Sequence, residues 1–197
     1  FDSNVNKFVF AYYGNGPGYA IVGTVSGTSI SFGSQAQFNG LYASYISLVF
    51  DSTNNKVVIA YRDQSNSNYG TALVATVSGT SISFGSKTVF NSANNEYVAA
   101  TFDSTNNKVV IAYNNAGNSS YGTAIVGTVS GTSISFGTAV VFNAGTTLYI
   151  AATFDSTNNK VALSYRDGGN SNYGTAIVGT VSGTSISFGD ETVFNAA

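Results

Sequence analysis

Cysteine, histidine, methionine and tryptophan are all absent from this chain of 197 residues. The lack of cysteine excludes a disulfide framework. Without histidine or cysteine the chain has no general base that titrates near neutral pH, no nucleophile paired with histidine, and no nitrogen or sulfur ligands for zinc or copper. We therefore predict that the protein is not an enzyme and that it holds no metal or cofactor.

The carboxylates do not replace the missing groups. Asp190 and Glu191 are the only adjacent acidic residues, and neighbouring residues of a strand point to opposite faces. Asp63, Glu96 and Asp167 could supply a carboxylate pair of the kind that glycosidases use. No pattern in the sequence brings any two of them together.

Charged side chains are scarce as well, at 8% of the residues, with 7 lysines and arginines against 9 aspartates and glutamates. Such a chain has no basic surface for a phosphate backbone or an anionic bilayer, and its apolar runs are far shorter than the roughly 20 residues of a membrane-spanning helix. We expect no nucleic-acid partner and no membrane insertion. Serine, threonine, asparagine and glycine supply the polarity, a composition typical of exported and virion-surface β-proteins, so we expect an extracellular or virion-surface location.

A tandem repeat is the main feature of what is present. The hexapeptide VSGTSI occurs four times at intervals of 52 residues, beginning at Val25, Val77, Val129 and Val181. The tripeptide FDS marks the same repeats, at Phe1, Phe50, Phe102 and Phe154. With 43% hydrophobic residues and no change of composition at the junctions, the chain is predicted to be a single repeat domain over residues 1–197, made of repeats 1–49, 50–101, 102–153 and 154–197.

Each repeat contains runs of β-forming residues bounded by glycine, asparagine, aspartate or serine. Runs such as 57–61 and 72–75 are apolar on consecutive residues, which predicts strands covered on both faces. We therefore predict an all-β fold, a β-propeller built from four repeats of four antiparallel strands; a repetitive β-solenoid or an arc of a larger propeller is the alternative. In the third repeat the predicted strands are Lys108–Tyr113, Gly122–Val129, Ser133–Phe142 and Leu148–Phe154.

The stretch VSGTSISFGTAVVFN, residues 129–143, resembles the third strand, turn and fourth strand of a blade in the sialidase-type, or Asp-box, propellers. Ser130, Gly131 and Phe136 correspond to the polar turn and the aromatic residue of that motif, although the turn carries no aspartate and phenylalanine replaces the usual tryptophan. The resemblance extends over all four repeats and implies the propeller architecture. It does not imply sialidase activity, because sialidase-like sites use three arginines and this chain has only Arg62 and Arg166.

An aspartate recurs in each FDS tripeptide, at Asp2, Asp51, Asp103 and Asp155. Four carboxylates could form a ring that binds a cation. A structural role is the simpler interpretation, because aspartate closes a turn by accepting hydrogen bonds from backbone amides two or three residues further on. The run DSTNNK also lacks the central glycine and the distal glutamate of a calcium loop, so we predict an Asx turn in each repeat.

The loops after the first strand of repeats 2 to 4 differ most between copies. Each begins with a tyrosine and two polar residues and ends at a second tyrosine. Tyrosine rings can stack on the apolar face of a sugar while amide and guanidinium groups bind its hydroxyls; alternatively, the loops are plain connectors whose tyrosines pack in the core. The predicted ligand-binding residues are Tyr61, Arg62, Asp63, Tyr69, Tyr113, Asn114, Asn115, Tyr121, Tyr165, Arg166, Asp167 and Tyr173.

Together these features predict a non-enzymatic glycan- or surface-binding propeller, lectin-like or part of an adhesin. The alternative function is a purely structural repeat that self-assembles, through an open strand edge, into a filament, sheath or appendage. The fourth repeat lacks the segment equivalent to residues 148–153, and Phe1 begins at the turn that follows that segment. We therefore expect the chain ends to lie close together, as in a four-bladed ring whose missing strand was trimmed or comes from a neighbouring chain.

Overall fold

The structure is a computed structural model that describes residues 1–196. It is all-β: 69% of the residues lie in strands, and the helices among the described residues are two single 3-10 turns, Gln64–Asn66 and Ala116–Asn118. The strands are β1 (Phe8–Tyr13), β2 (Gly18–Ser26), β3 (Ser29–Phe32), β4 (Ala36–Asn39), β5 (Ala43–Asp51), β6 (Lys56–Asp63), β7 (Tyr69–Ser78), β8 (Ser81–Phe84), β9 (Thr88–Asp103), β10 (Lys108–Asn115), β11 (Tyr121–Ser130), β12 (Ser133–Phe136), β13 (Val140–Asp155), β14 (Lys160–Asp167), β15 (Tyr173–Ser182), β16 (Ser185–Phe188) and β17 (Thr192–Asn195).

The strands pair antiparallel in four successive groups. Group 1 contains β1 to β4 and forms a separate four-stranded sheet. Group 2 is β5 to β8 with the first half of β9, group 3 runs from the second half of β9 to the first half of β13, and group 4 contains the rest. Because β9 and β13 each belong to two groups, groups 2 to 4 form one 13-stranded sheet. Within residues 1–196 no sheet closes on itself. The all-β prediction is confirmed, and the propeller is not.

One strand boundary predicted from the sequence is wrong. The run 133–142 is interrupted after Phe136, and its second part continues without a break into the run predicted as the fourth strand, giving the 16-residue β13. The physical reason is that β11 has ten residues and one free edge, which holds both β12 and the beginning of β13 end to end. At the break, the amide of Gly137 donates a hydrogen bond to the carbonyl of Val126 at 2.9 Å.

Successive groups pack face to face over three hydrophobic cores. The core between groups 2 and 3 includes Val58, Val74, Phe90, Ile111, Tyr113 and Ile125. Equivalent residues form the core between groups 1 and 2 and the core between groups 3 and 4. Residues 57–61 and 72–75 are buried throughout, which confirms the prediction that these strands are covered on both faces. No core among residues 1–196 joins group 1 to group 4, so the expected closed ring, with its ends packed together, is not confirmed.

The aspartates of the FDS tripeptides close turns, as predicted. In each of the four, Oδ1 accepts hydrogen bonds from the backbone amides two and three residues further on, at 2.9–3.4 Å. Within residues 1–196 there is no cluster of three or more histidine, cysteine, aspartate or glutamate side chains that could hold a metal ion. The 3-10 turns of this same part of the chain are too short to cross a membrane.

Candidate functional site

The first tyrosine of each predicted binding loop lies in a core. The side chains of Tyr61, Tyr113 and Tyr165 are at most 3% exposed. Each packs against a phenylalanine of the preceding group with 5.2 Å between ring centroids, and burial raises the pKa of all three hydroxyls. These rings cannot stack on a ligand unless a core opens, so the structure gives them the packing role that the sequence left as the alternative.

Asp63 is also buried, at the start of the first 3-10 turn, and is held by several partners. It accepts hydrogen bonds from the side chain of Asn39 and the backbone of Ser65, both at 3.0 Å, and forms an ion pair with Lys87 at 3.1 Å. Burial alone would raise the pKa of Asp63, but the hydrogen bonds from Ser65, Asn39 and Lys87, together with the charge of Lys87, lower it below its ordinary value. Asp63 therefore fixes its loop and joins groups 1 and 2.

Asp167 and Asn114 brace the later loops in a similar way. Asp167 is buried and accepts a hydrogen bond from the Asn143 amide at 3.1 Å. The Asn114 amide is buried and donates to the carbonyl oxygen of Thr147 at 2.8 Å. Asn115 is half-buried and precedes the second 3-10 turn. Asp167 and Asn114 were predicted to bind a ligand, but in the structure both are buried and hold their own loops in place.

The second tyrosines of the loops, together with Arg166, are more accessible but dispersed. Tyr69, Tyr121 and Tyr173 are half-buried at the starts of β7, β11 and β15, in three different groups. Arg166 is exposed on β14. The structure thus does not gather the twelve predicted residues into one site.

Arg62 is the predicted residue that lies in a defined site. Its guanidinium carbon is 4.7 Å from the centroid of the Tyr45 ring, a distance at which cation and ring attract each other. Its Nε donates to Ser44 Oγ at 2.9 Å, and its charge is paired with Glu96 at 3.4 Å. The arginine is therefore held over the Tyr45 ring by partners from two neighbouring groups.

Tyr45 begins a row of tyrosines that the sequence analysis missed. Tyr45, Tyr97 and Tyr149 recur every 52 residues, and their ring centroids are 5.2 and 5.0 Å apart. Each lies at a β-bulge of β5, β9 or β13, with φ of 49°, 49° and 52°. A bulge redirects the side chain that it carries, and left-handed backbone is unusual for so large a residue.

Tyr97, the middle tyrosine of the row, has a raised pKa. Burial raises the pKa of Tyr97, and the neighbouring Tyr149, Tyr45 and Glu96 raise it further. Tyr97 therefore keeps its proton more firmly than an ordinary tyrosine, and each ring of the row offers an apolar face with a hydroxyl group at its tip. Their regular spacing of 52 residues was the one signal in the sequence that could have identified them.

A cleft of about 290 Å³ opens at the first end of the tyrosine row. Tyr13 and Tyr42, both half-exposed, line it with their ring centroids 6.3 Å apart. The remaining lining residues are Ala43, Ser44, Tyr45, Arg62 and Gln64. We call these seven residues the tyrosine cleft. A larger, more open concavity over Asn143, Asp167 and Glu191 contains no aromatic ring.

No protein-family model matches this chain, and no curated protein matches its sequence significantly. A function for the chain therefore rests on the chemistry of the tyrosine cleft and of the surfaces around it.

Proposed function

We propose that the chain is a non-enzymatic glycan-binding module of an extracellular or virion surface, with the tyrosine cleft as its site. The observation that carries this proposal is the convergence of three accessible tyrosine rings with a guanidinium, an amide and a hydroxyl in one cleft. Sugars present apolar faces rimmed by hydroxyl groups. A site for them needs flat apolar surfaces and a few fixed polar groups, and the cleft has both.

The charge balance of the cleft favours neutral sugars over acidic ones. Arg62 is the one cationic residue of the cleft, and Glu96 already neutralises it at 3.4 Å. Its Nε is occupied by Ser44. An anionic ligand would have to displace Glu96 from Arg62, whereas a neutral hydroxyl can be bound without breaking the ion pair.

The row of tyrosines extends the proposed site beyond the cleft. Tyr97 and Tyr149 continue from Tyr45 across groups 3 and 4, so an oligosaccharide could contact several rings. The position after the first tyrosine of each loop varies between repeats, with Tyr13, Arg62, Asn114 and Arg166 in repeats 1 to 4. Asn114 is buried, whereas Tyr13, Arg62 and Arg166 are accessible to different degrees. The differences among these three accessible side chains are a basis for selectivity.

Binding can be tested on an array of neutral and acidic oligosaccharides, followed by calorimetry on any sugar that binds. Tyr42→Ala is expected to weaken binding about tenfold or more, because aromatic side chains are the commonest binding hot spots. Phe1→Ala removes an exposed ring outside the cleft and serves as the matched control. A blank array with folded protein would refute the proposed function, and an equal loss in both variants would refute the proposed site.

A second candidate function, a structural repeat that self-assembles, is favoured by the apolar faces left uncovered at both ends of the stack of groups. The same exposed faces support the alternative architecture, in which the four groups are an arc of a larger propeller or a β-solenoid. Both functions are compatible in one molecule, because the cleft lies between groups 1 and 2 and the uncovered faces lie at the ends.

A further inference from the structure

The outer surface of group 1 is an uncovered apolar face, which we call the front face. In groups 2 and 3 the residues at the position of Phe10 are Ile59 and Ile111, and both are fully buried against the preceding group. Among residues 1–196, no group packs against this side of group 1. Contiguous exposed apolar surface of this kind marks interaction sites. The front face consists of Phe8, Phe10, Tyr12, Val25, Ile30 and Phe32, each 36–52% exposed.

The opposite surface, on group 4, is uncovered as well, and we call it the back face. Val178 and Phe194 are 49% and 65% exposed there, whereas Val74 and Val126, at the position of Val178 in groups 2 and 3, are fully buried. A shallow groove of about 190 Å³ runs beside them, lined by alanines, Thr153, Leu163 and Ser164.

Every junction inside the molecule is made by the same aromatic contact. One group contributes the surface that corresponds to the back face, and the next group contributes the surface that corresponds to the front face. At the second junction, the ring of Phe90 in group 2 lies between two rings of group 3, with centroids 5.2 Å from Tyr113 and 5.8 Å from Phe136. The first and third junctions repeat this geometry. The chain therefore already contains three examples of how its two faces fit together.

We propose that the back face of one copy binds the front face of a second copy, so that the protein associates head to tail. Phe194 occupies the position of Phe90 in the last group, and Tyr12 and Phe32 occupy the positions of Tyr113 and Phe136 in the first. Phe194 then inserts between Tyr12 and Phe32 of the second copy. The occupant is a second copy because this chain carries both sides of the contact that its three junctions repeat. The back face has one side without its partner surface, and the front face has the other.

A glycine supports the fit independently of the aromatic rings. At the second junction a Cβ on Gly85 would overlap the carbonyl oxygen of Thr132 in the next group, and the glycines of the other two junctions are equally confined. Gly189 has the same repeat position in group 4, yet the nearest atom to its Cβ position is 3.9 Å away. The space beside Gly189 matches the one that a threonine fills at the three inner junctions. Thr28 is the equivalent threonine at the front face.

Hydrogen bonds at the rim of the junctions also have unmatched halves at the two ends. The Thr105 hydroxyl donates to Asn159 Oδ1 of the next group at 2.6 Å, and the junction between groups 2 and 3 has the equivalent bond. Thr157 is the corresponding threonine of group 4, and Asn6 is the corresponding asparagine of group 1. Head-to-tail contact brings these two residues together.

Such an interface joins two different surfaces, so it can extend into rings or filaments rather than stopping at a symmetric dimer. Sedimentation velocity of the whole chain over a range of concentrations should show species at multiples of the 20.3 kDa mass. Phe194→Asp blocks the back face and Phe32→Asp blocks the front face, and each variant alone should sediment as a monomer.

The decisive measurement is the mixture of the two blocked variants. One intact back face and one intact front face remain, so the mixture should form dimers and nothing larger. Val141→Asp, which changes an exposed residue of group 3 outside both faces, should assemble like the wild-type chain, and circular dichroism confirms that each variant is folded. If Phe32→Asp does not fold, Ile30→Asp repeats the test. A monomeric wild-type chain, a blocked variant that still assembles by itself, or a mixture that stays monomeric would each overturn the head-to-tail contact.

Discussion

At the scale of single residues, the buried tyrosines share one repeat position but differ in what their hydroxyls contact. Tyr165 donates a hydrogen bond to Glu191 at 2.8 Å. Alanine stands at the position of Glu191 in the preceding repeat, and the Tyr113 hydroxyl has no partner among residues 1–196. A buried polar group without a partner costs about 1–3 kcal/mol, so the two hydroxyls have opposite effects on stability.

We therefore predict that Tyr113→Phe raises the free energy of unfolding by about 1 kcal/mol and that Tyr165→Phe lowers it by about 1 kcal/mol. Urea denaturation of both variants under identical conditions measures the difference. Equal losses in the two variants would contradict the distinction between the two hydroxyls.

A second prediction concerns the ion pair of Asp63. Because its pKa is lowered in the folded state, the unfolded chain binds more protons as the pH falls, and the stability that Asp63 contributes is present above about pH 4 and lost below it. Asp63→Asn should cost about 1.5–3 kcal/mol at pH 7, as charged hydrogen bonds do. The cost should shrink when unfolding is measured near pH 3. A cost that does not change with pH would rule out the charge of Asp63 as its source.

At the scale of elements, the bulges of β5, β9 and β13 hold tyrosines in left-handed backbone, which costs a residue with a Cβ about 1–2 kcal/mol. Glycine escapes that cost. Within an ordinary strand glycine is the less favourable residue, because a protein with glycine there is less stable than one with alanine by about 0.5–1 kcal/mol. The bulges therefore store strain at the tyrosine row, as functional sites often do.

Tyr149 gives the cleanest test of this strain, since it is 64% exposed with φ of 52°. Both Tyr149→Gly and Tyr149→Ala remove the ring, so their difference reports on the backbone alone. We expect the glycine variant to be more stable than the alanine variant by about 1 kcal/mol in chemical denaturation. Greater stability of the alanine variant would mean that the bulge is not strained.

The sequence predicted the strands whose signal is local and missed what depends on distant pairing. The apolar runs 57–61 and 72–75 identified strands covered on both faces, because a strand with one wet face alternates. The break after Phe136 could not be predicted, since it depends on β12 and β13 sharing one edge of β11. Tyr97 and Tyr149 lie in ordinary β-forming runs, and only the pairing register shows that they are bulged.

The predicted site illustrates the same limit. A tyrosine followed by arginine and aspartate is compatible both with an exposed binding loop and with a ring packed between sheets, and only tertiary contacts decide. Those contacts buried Tyr61 and Asp63 and left Arg62 accessible beside Tyr45. The cleft also depends on Tyr13, at the end of β1, and on Tyr42, in the connection between β4 and β5. These two residues are far apart in the sequence.

At the scale of the whole molecule, stability depends on how closely neighbouring groups approach each other. Gly85→Ala places a Cβ where the Thr132 carbonyl lies, so we predict a loss of about 1–3 kcal/mol, typical of overpacking, or more. Gly189→Ala is the matched control and should stay within about 0.5 kcal/mol of the wild-type chain, since nothing crowds it. Thermal and urea unfolding of both variants, at concentrations where the chain is monomeric, measures the two losses. Similar losses in the two variants would contradict this prediction.

The unbroken β9 and β13 also make the molecule mechanically uneven. Tension pulled along the chain crosses the second and third junctions within a continuous strand, but it crosses the first junction through the exposed residues 40–42, between β4 and β5. Group 1 is therefore more loosely connected along the chain than groups 2 to 4 are to one another. Tyr13 lies on one side of residues 40–42 and Tyr45 on the other. A glycan held in the tyrosine cleft would therefore stiffen the connection between groups 1 and 2, where the chain resists tension least.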